Sequence, residues 1–240
     1  MRYLKSMIVL LEELEKEEES FHKVIDKTVD VIRTGGIIHI LGYGHYNAIP
    51  MELFFKPGVL SCINPILDIS TLYPENIYKA NYLEKIEDYG KNLISNENIK
   101  ESDILYIISY TGRDFIAIDA CLEAKKKGIF TIGFINRENS IKPSKHSSKK
   151  NLKDLVDLAV LLPGPSDELL LSLKENKDVR VGNLGVLLPL LVINDILVEV
   201  IYKIEEIGII PPVFRLPINE KNKEINKKLI DIYKEKIRGF

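Results

Sequence analysis

A chain of 240 residues with 45% hydrophobic and 28% charged residues has the composition of a globular protein, and it is long enough to fold without a disulfide or metal staple. Its 33 Lys and Arg residues nearly balance its 35 Asp and Glu residues, whereas proteins that mainly bind nucleic acid usually carry a basic excess. Two cysteines, Cys62 and Cys121, are too few for a disulfide framework. They fit a reducing compartment, so we expect a cytoplasmic location.

The most apolar stretch of the chain, residues 184–204, contains a proline, Pro189, and four polar or charged side chains: Asn194, Asp195, Glu199 and Lys203. Charges are costly at the centre of a bilayer, so this stretch predicts a buried helix and no membrane partner. A second apolar run, residues 7–11, is followed at once by the acidic run at residues 12–19, where a signal peptide would need a small-residue cleavage site. We therefore expect no signal peptide here.

Residues 3–33 have the periodicity of one long helix or of two abutting helices. Two rows of residues spaced seven or fourteen apart form a heptad-like stripe: Leu4, Leu11, Ile25 and Ile32, and Met7, Leu14, Phe21 and Thr28. Such a stripe packs on its own domain or also on a second subunit. We expect the second arrangement, and therefore a homodimer or higher homo-oligomer. Gly35-Gly36 is predicted to end the helix.

Short apolar runs alternate with helical patterns after residue 36. The predicted strands are residues 37–41, 59–63, 104–108, 129–135 and 155–162. The predicted helices are residues 47–56 (with Asn47 as N-cap), 75–93, 114–127, 184–208 and about 220–237. Residues 137–153 predict a loop. The alternation indicates an α/β fold with a parallel sheet covered on both faces by helices.

Two turns follow predicted strands, where open parallel sheets bind their ligands. The first is Gly42-Tyr43-Gly44-His45-Tyr46-Asn47, whose glycines let a ligand approach the backbone. The dinucleotide fingerprint would need glycine at position 47, and no nucleotide-triphosphate loop occurs in the chain, so we expect no cofactor. A tight strand-to-helix turn without a ligand is the alternative.

The second turn is Ser109-Tyr110-Thr111-Gly112-Arg113-Asp114. Its two hydroxyls, its glycine and the start of a helix suit a phosphate monoester, because free N–H groups and hydroxyls bind anions. The two turns together predict a phosphorylated small molecule as the ligand. An ion pair within the protein is the alternative role for Arg113.

The segment Ile107-Ile108-Ser109-Tyr110-Thr111-Gly112-Arg113 resembles the I-S-x-S-G motif of the sugar isomerase (SIS) domain. Further segments resemble one branch of that superfamily in order and spacing: Gly42-Tyr43-Gly44-His45, residues 52–58, 64–67, 146–150, 181–182 and 211–214. The resemblance implies a three-layer αβα, flavodoxin-like fold with a five-stranded parallel sheet. Within a single domain, residues 1–34 would form the helical part for packing and oligomerisation, 35–210 the SIS domain and 211–240 a C-terminal tail and helix.

The resemblance also implies roles for individual residues. Ser109, Thr111 and Gly112 match the family's phosphate-binding turn. The other expected phosphate or sugar contacts are Gly44, Tyr110, Arg113, Ser147 and Ser148. Glu52 matches the catalytic glutamate of related aldose–ketose isomerases, where a carboxylate at a helix start removes a proton beside a carbonyl. His45 would shuttle a proton between oxygens. The alternatives are a surface carboxylate for Glu52 and a plain turn residue for His45.

The chain departs from the branch at two positions and in one four-residue stretch. Tyr46 stands in place of Ser, Lys56 in place of Arg, and residues 183–186 lack two hydroxyls. Two functions therefore stay open: an isomerase that acts on a sugar phosphate through an enediol, and a non-catalytic protein that senses a phosphosugar. We expect no nucleic-acid partner and no metal site. His39 is predicted to be a hydrogen-bonded core residue and His22 a surface residue. His146 is predicted to lie in a mobile loop or on a crevice rim shared with a neighbouring subunit.

Overall fold

The computed structural model describes residues 1–14 and 17–240. The chain begins with two separate helices, α1 (Arg2–Leu14) and α2 (Glu18–Arg33), rather than one long helix. Of the acidic run at residues 12–19, residues 15 and 16 lie outside the described residues. The predicted glycine stop is confirmed: Gly35 has a φ of 80°, and its N–H donates to the carbonyl of Ile32 at 3.0 Å.

The row of the predicted heptad stripe that contains Met7 is more completely buried than the row that contains Leu4. Met7, Leu14 and Thr28 are buried, whereas Leu4 and Leu11 are 52% and 37% exposed. The buried side of α2 packs against helix α7 (Leu187–Glu206) and against the sheet. The exposed leucines leave an apolar surface on α1, and the expected oligomer stays a prediction.

The core of the molecule is a five-stranded parallel sheet, which confirms the predicted fold class. Its strands are β1 (Ile38–Gly42), β2 (Ile63–Leu67), β3 (Ile104–Ile108), β4 (Phe130–Asn136) and β5 (Leu158–Leu162). They lie in the order β2-β1-β3-β4-β5. The central strands β1 and β3 are buried at every position, as continuous apolar runs predict. Strand β2 lies on one side of β1, whereas β3, β4 and β5 follow on the other side. The strand order therefore reverses between β1 and β3, and open parallel sheets form their ligand-binding crevice at such a point.

Helices cover the sheet in two pairs. One pair is α2 and α7, and the other is α5 (Tyr89–Ser95) and α6 (Phe115–Lys126). The buried apolar residues of both pairs belong to one hydrophobic core. A helix α8 (Glu220–Tyr233) follows near the end of the chain. No helix among residues 1–14 and 17–240 has the length and hydrophobicity needed to cross a bilayer.

The second strand lies four residues beyond its predicted start. The apolar run at residues 59–62 pairs instead with the C-terminal tail, through a bridge from Leu60 to Val213 and a 2.7 Å bond from the Ser61 N–H to the Pro212 carbonyl. The true strand β2 contains Pro65, which a sheet tolerates here because β2 is an edge strand.

Two predicted helices are shorter than expected. The helix predicted over 47–56 is α3 (Ala48–Glu52), and Asn47 does not cap it. The Asn47 side chain instead donates to the carbonyls of Gly44 and Asp68, both at 3.1 Å, and joins the turns after β1 and β2. The helix predicted over 75–93 is divided into α4 (Ile77–Leu83) and α5, because Asp88 has a left-handed φ of 65°.

A β-hairpin that we did not predict, β6 (Leu169–Ser172) and β7 (Arg180–Asn183), precedes α7. Helix α7 is less completely buried than its composition predicted. Four of its apolar residues are exposed: Leu187, Leu191, Val198 and Tyr202.

His39 is a core residue, as predicted. Its ring is 1% exposed, and Nδ1 accepts from the Asn64 side-chain amide at 2.9 Å. Nε2 therefore carries the proton, which it donates to Asp103 Oδ2 at 3.2 Å. His22 lies on the helix surface, 3.4 Å from Glu18, also as predicted.

Candidate active site

The turns after β1 and β3 meet at the point where the strand order reverses. The Tyr46 hydroxyl accepts the N–H of Tyr110 at 2.9 Å, and the Tyr43 hydroxyl lies 2.9 Å from Asp114 Oδ2. Burial, and then the charge of Asp114, raises the pKa of both tyrosines, so both keep their protons. The bulky phenol at position 46 thus joins the two turns.

Asp114 is the centre of the second turn. Its carboxylate accepts from the hydroxyls of Ser109 at 2.6 Å and Thr111 at 2.9 Å. Ser109 is fully buried, and so is Tyr110, whose hydroxyl donates to the Pro165 carbonyl at 3.1 Å. In this arrangement the side chains of Ser109 and Tyr110 hold the turn together and do not face solvent.

The start of helix α6 is left open by this arrangement. Asp114 is the residue before the helix, yet its side chain does not cap the helix N–H groups because it is turned towards the tyrosine and the two hydroxyls. A helix N-terminus without a side-chain cap keeps free N–H groups that favour an anion. Gly112, with a φ of 65°, completes the turn, and a Cβ there would collide with Asn151 Oδ1.

A crevice of about 320 Å³ opens beside this helix start. Thr111, Arg113 and Phe115 form one wall, and three charged residues lie opposite or beside them: Glu84, Lys85 and Lys145. Arg113 forms no ion pair with the part of the chain that the structure describes, and its buried Nε has no hydrogen-bond partner there. The ion-pair alternative for Arg113 is therefore not observed.

A second cavity of about 470 Å³ holds the predicted catalytic residues. It is lined by Gly44, His45, Glu52 and Tyr73, together with apolar side chains. Glu52 is the last residue of α3 and not the first, because that helix is only five residues long. Its side chain is 54% exposed and lies 2.5 Å from Lys56. The ring of His45 contacts that of Tyr46 at a tilt of 48°, with ring centroids 4.1 Å apart, and burial lowers the pKa of His45.

Residues 2–136 match the family model of the SIS domain. The chain belongs to the SIS-domain family. It is 31% identical over 225 residues to a "UPF0309 protein" of Geobacillus sp. (strain WCH70), with 93% of this chain and 91% of that protein covered. It is 30% identical, again over 225 residues, to a "UPF0309 protein" of Geobacillus thermodenitrificans (strain NG80-2), with 93% and 90% covered.

A solved structure shares the fold of this SIS domain. It is described as an RpiR transcription factor from Sphaerobacter thermophilus (sugar isomerase domain). The two chains are 10% identical and align with a TM-score of 0.50, over 96% of this chain and 97% of the other. The resemblance drawn from the sequence motifs is thus confirmed at the level of family and fold.

The SIS domain carries a carboxylate at this site that the sequence analysis missed. Glu84 lines the 320 Å³ crevice, and its Oε2 accepts from the Tyr73 hydroxyl at 3.0 Å. Its Oε1 lies against Gly44, where any Cβ would collide with it. Burial raises the pKa of Glu84 to about 7, with Tyr73 lowering it and Asp114 raising it further. The one sequence feature that points to this packing is Gly44 itself, forty residues earlier in the chain.

The loop at residues 146–148 is fixed to its own chain. His146 is 4% exposed, and its Nε2 donates to Asp119 Oδ1 on α6 at 2.9 Å while Nδ1 accepts the N–H of Ser148 at 3.1 Å. The Ser147 N–H donates to Glu87 at 2.8 Å. The buried, hydrogen-bonded side chain of His146 does not support the mobile-loop prediction, and nothing in the structure tests the mobility of the loop. Ser147 and Ser148 do not line either described cavity.

Proposed function

We propose that this SIS-domain protein binds a phosphorylated sugar between the turns after β1 and β3 and interconverts its aldose and ketose forms. One observation carries the proposal: Arg113, without a carboxylate partner in the described chain, lines the crevice beside the open start of α6. A guanidinium and free helix N–H groups are the donors that bind a phosphate most directly.

The charges around the crevice support an anionic ligand. Lys85, Arg113 and Lys145 contribute three cations against the carboxylates of Glu84 and Asp114. The volume of about 320 Å³ is that of a small-ligand pocket.

The proposed reaction is a proton transfer beside the sugar carbonyl. The resemblance assigns the base to Glu52 and an assisting role to His45. His45 suits that role because burial lowers its pKa, so the ring is neutral near pH 7 and can both accept and donate a proton.

The binding part of the proposal is tested by calorimetry with a panel of aldose and ketose phosphates and their unphosphorylated sugars. We expect only the phosphorylated sugars of the panel to bind. The substitution Arg113→Gln should weaken their binding by about tenfold or more. Arg33→Gln is the matched control, because Arg33 pairs with the exposed Asp30 before β1, at the opposite edge of the sheet. Equal binding by the sugar and its phosphate would contradict the proposal.

A non-catalytic sensor is the second candidate function. It is favoured by the ion pair between Glu52 and Lys56, which occupies the carboxylate that the resemblance makes the base. Incubation of each bound sugar phosphate in deuterium oxide separates the two functions. An isomerase exchanges the proton at C2 with solvent through the enediol, whereas a sensor binds the sugar and leaves that proton in place.

We also propose that the protein is a homo-oligomer, with residues 1–34 contributing to the interface. The apolar residues exposed on α1 and α7 support this: Leu4, Ile8, Val9, Leu11, Leu187 and Leu191. Sedimentation of the wild type and of Leu4→Glu tests it, since a monomeric wild type would contradict the proposal.

A further inference from the structure

We infer that Glu84, rather than Glu52, is the carboxylate that moves the carbon-bound proton, an assignment that rests on the proposed isomerase function. Glu84 borders the polar crevice and contacts two residues of the second cavity. It lines the crevice with Thr111 and Arg113, and its two contacts, Gly44 and Tyr73, line the neighbouring cavity. A sugar whose phosphate lies beside Arg113 would therefore have its carbon chain next to Glu84.

The carboxylate of Glu84 is hydrogen-bonded on one side and packed against the backbone on the other. The Tyr73 hydroxyl donates to Oε2 at 3.0 Å, and Oε1 lies directly over the backbone of Gly44. The N–H of Gly44 in turn donates to Thr71 Oγ1 at 2.8 Å. A fixed carboxylate of this kind keeps the geometry that a proton transfer between two carbon atoms needs.

Glu52 lacks both of these properties. Its side chain is more than half exposed and lies 2.5 Å from Lys56, whereas Glu84 is half-buried and forms no ion pair with the described residues. The ion pair with Lys56 occupies one carboxylate oxygen of Glu52, which leaves this carboxylate less free to approach a carbon-bound proton.

The surroundings of Glu84 also give its carboxylate a proton affinity that fits the reaction. The titratable and charged groups that act on it are Tyr73, Lys85, Asp68 and Asp114. Burial is the largest influence and raises its pKa to about 7, and a catalytic acid–base group is most effective when its pKa lies near the working pH.

The proton balance of the reaction closes without an oxidant or reductant. The Glu84 carboxylate takes the proton from C2 of the open-chain aldose, the C–H electrons form the C1–C2 double bond, and the carbonyl oxygen O1 gains a proton. Glu84 then returns its proton to C1 while the O2 hydroxyl loses its proton, which gives the ketose. His45, the neutral imidazole beside Tyr73, is placed to pass the oxygen-bound proton from O2 to O1.

The test uses the full chain and a sugar phosphate that the wild type both binds and converts. We expect Glu84→Gln to lower kcat at least 100-fold and to abolish proton exchange at C2, with Kd within about threefold of the wild type. Glu84→Asp, which keeps a carboxylate but shortens it, should recover part of the rate. Glu75→Gln is the matched control, because Glu75 is exposed in the same segment, and it should behave as the wild type.

A pH profile provides a readout that a merely structural role would not change. The kcat of the wild type should rise with pH through about 7, as Glu84 loses its proton. The Tyr73 hydrogen bond lowers the pKa of Glu84, so Tyr73→Phe should move this rise to higher pH. Here Tyr73 acts as a positioning residue.

The outcomes separate this assignment from the proposed function. If the wild type binds no sugar phosphate, or binds it without exchange at C2, the proposed isomerase function fails and the assignment of Glu84 fails with it. If the wild type converts the sugar while a folded Glu84→Gln keeps its rate, only the assignment fails. Loss of exchange in Glu52→Gln together with full exchange in Glu84→Gln would return the role to Glu52.

Discussion

The phenol oxygen of Tyr46 accepts the backbone N–H of Tyr110 at 2.9 Å, and this bond ties the turn after β1 to the turn after β3. Both residues are almost completely buried. Tyr46, which the resemblance marks as a departure from the family branch, thus has a structural role: it fixes the separation of the two turns.

Tyr46→Phe removes the acceptor and leaves the Tyr110 N–H buried without a partner. A buried unsatisfied donor costs about 1–3 kcal/mol, so we expect the free energy of unfolding to fall by that amount. Urea denaturation measures the change. Tyr78→Phe is the control, since that side chain is 86% exposed and should change stability by less than about 0.5 kcal/mol. Equal stability of the two variants would show that the bond is not important.

Gly112→Ala should destabilise the second turn more than a positive φ alone explains. A Cβ at position 112 would meet Asn151 Oδ1, and the φ of 65° is already unfavourable for alanine. Gly58→Ala separates the two effects, because Gly58 has a φ of 88° but no neighbour within 4 Å. We expect a loss of about 1 kcal/mol for Gly58→Ala and clearly more for Gly112→Ala, measured by thermal unfolding. Similar losses would show that Asn151 moves away at little cost.

The sheet was the easiest part of the structure to predict from the sequence. Strands β1, β3 and β4 are mostly apolar because both of their faces are buried, and each lies within a residue of its predicted position. Strand β2 was misplaced because the more apolar run at residues 59–63 precedes it, and the C-terminal tail captures that run. The β6–β7 hairpin was missed because its four-residue strands are only partly buried.

The candidate site was only partly predictable, because it depends on contacts between distant segments. The motifs identified the two turns, and the strand order brings them together. They did not reveal that Asp114 binds the two hydroxyls of its own turn, or that α4 brings Glu84 over Gly44. Such contacts leave no local pattern in the sequence.

His146→Ala should loosen the loop of residues 137–151. The substitution removes the 2.9 Å bond to Asp119 and leaves that carboxylate, whose pKa burial already raises, with one partner fewer. Lys145, Lys149 and Lys150 are exposed, so trypsin should cleave the loop several times faster than in the wild type. His22→Ala, on the surface of α2, is the control. Unchanged cleavage would show that the other contacts of the loop hold it in place.

Asp103 should make the stability of the protein depend on pH in the acid range. Burial alone would raise the pKa of this carboxyl, but hydrogen bonds from His39 and from the N–H groups of Lys100 and Ile37 lower it below its usual value of 3.8. A carboxyl with a lower pKa in the folded state stabilises the fold above its unfolded pKa, and this contribution is lost as the pH falls through the folded value. Asp103→Asn should therefore be less stable than the wild type by about 1–3 kcal/mol at pH 6. The difference should narrow as the pH falls below about 4. Urea denaturation at pH 6, 4 and 3 measures it, with the exposed Asp30→Asn as control. A difference that stays constant from pH 6 to pH 3 would show that the charge of Asp103 does not contribute.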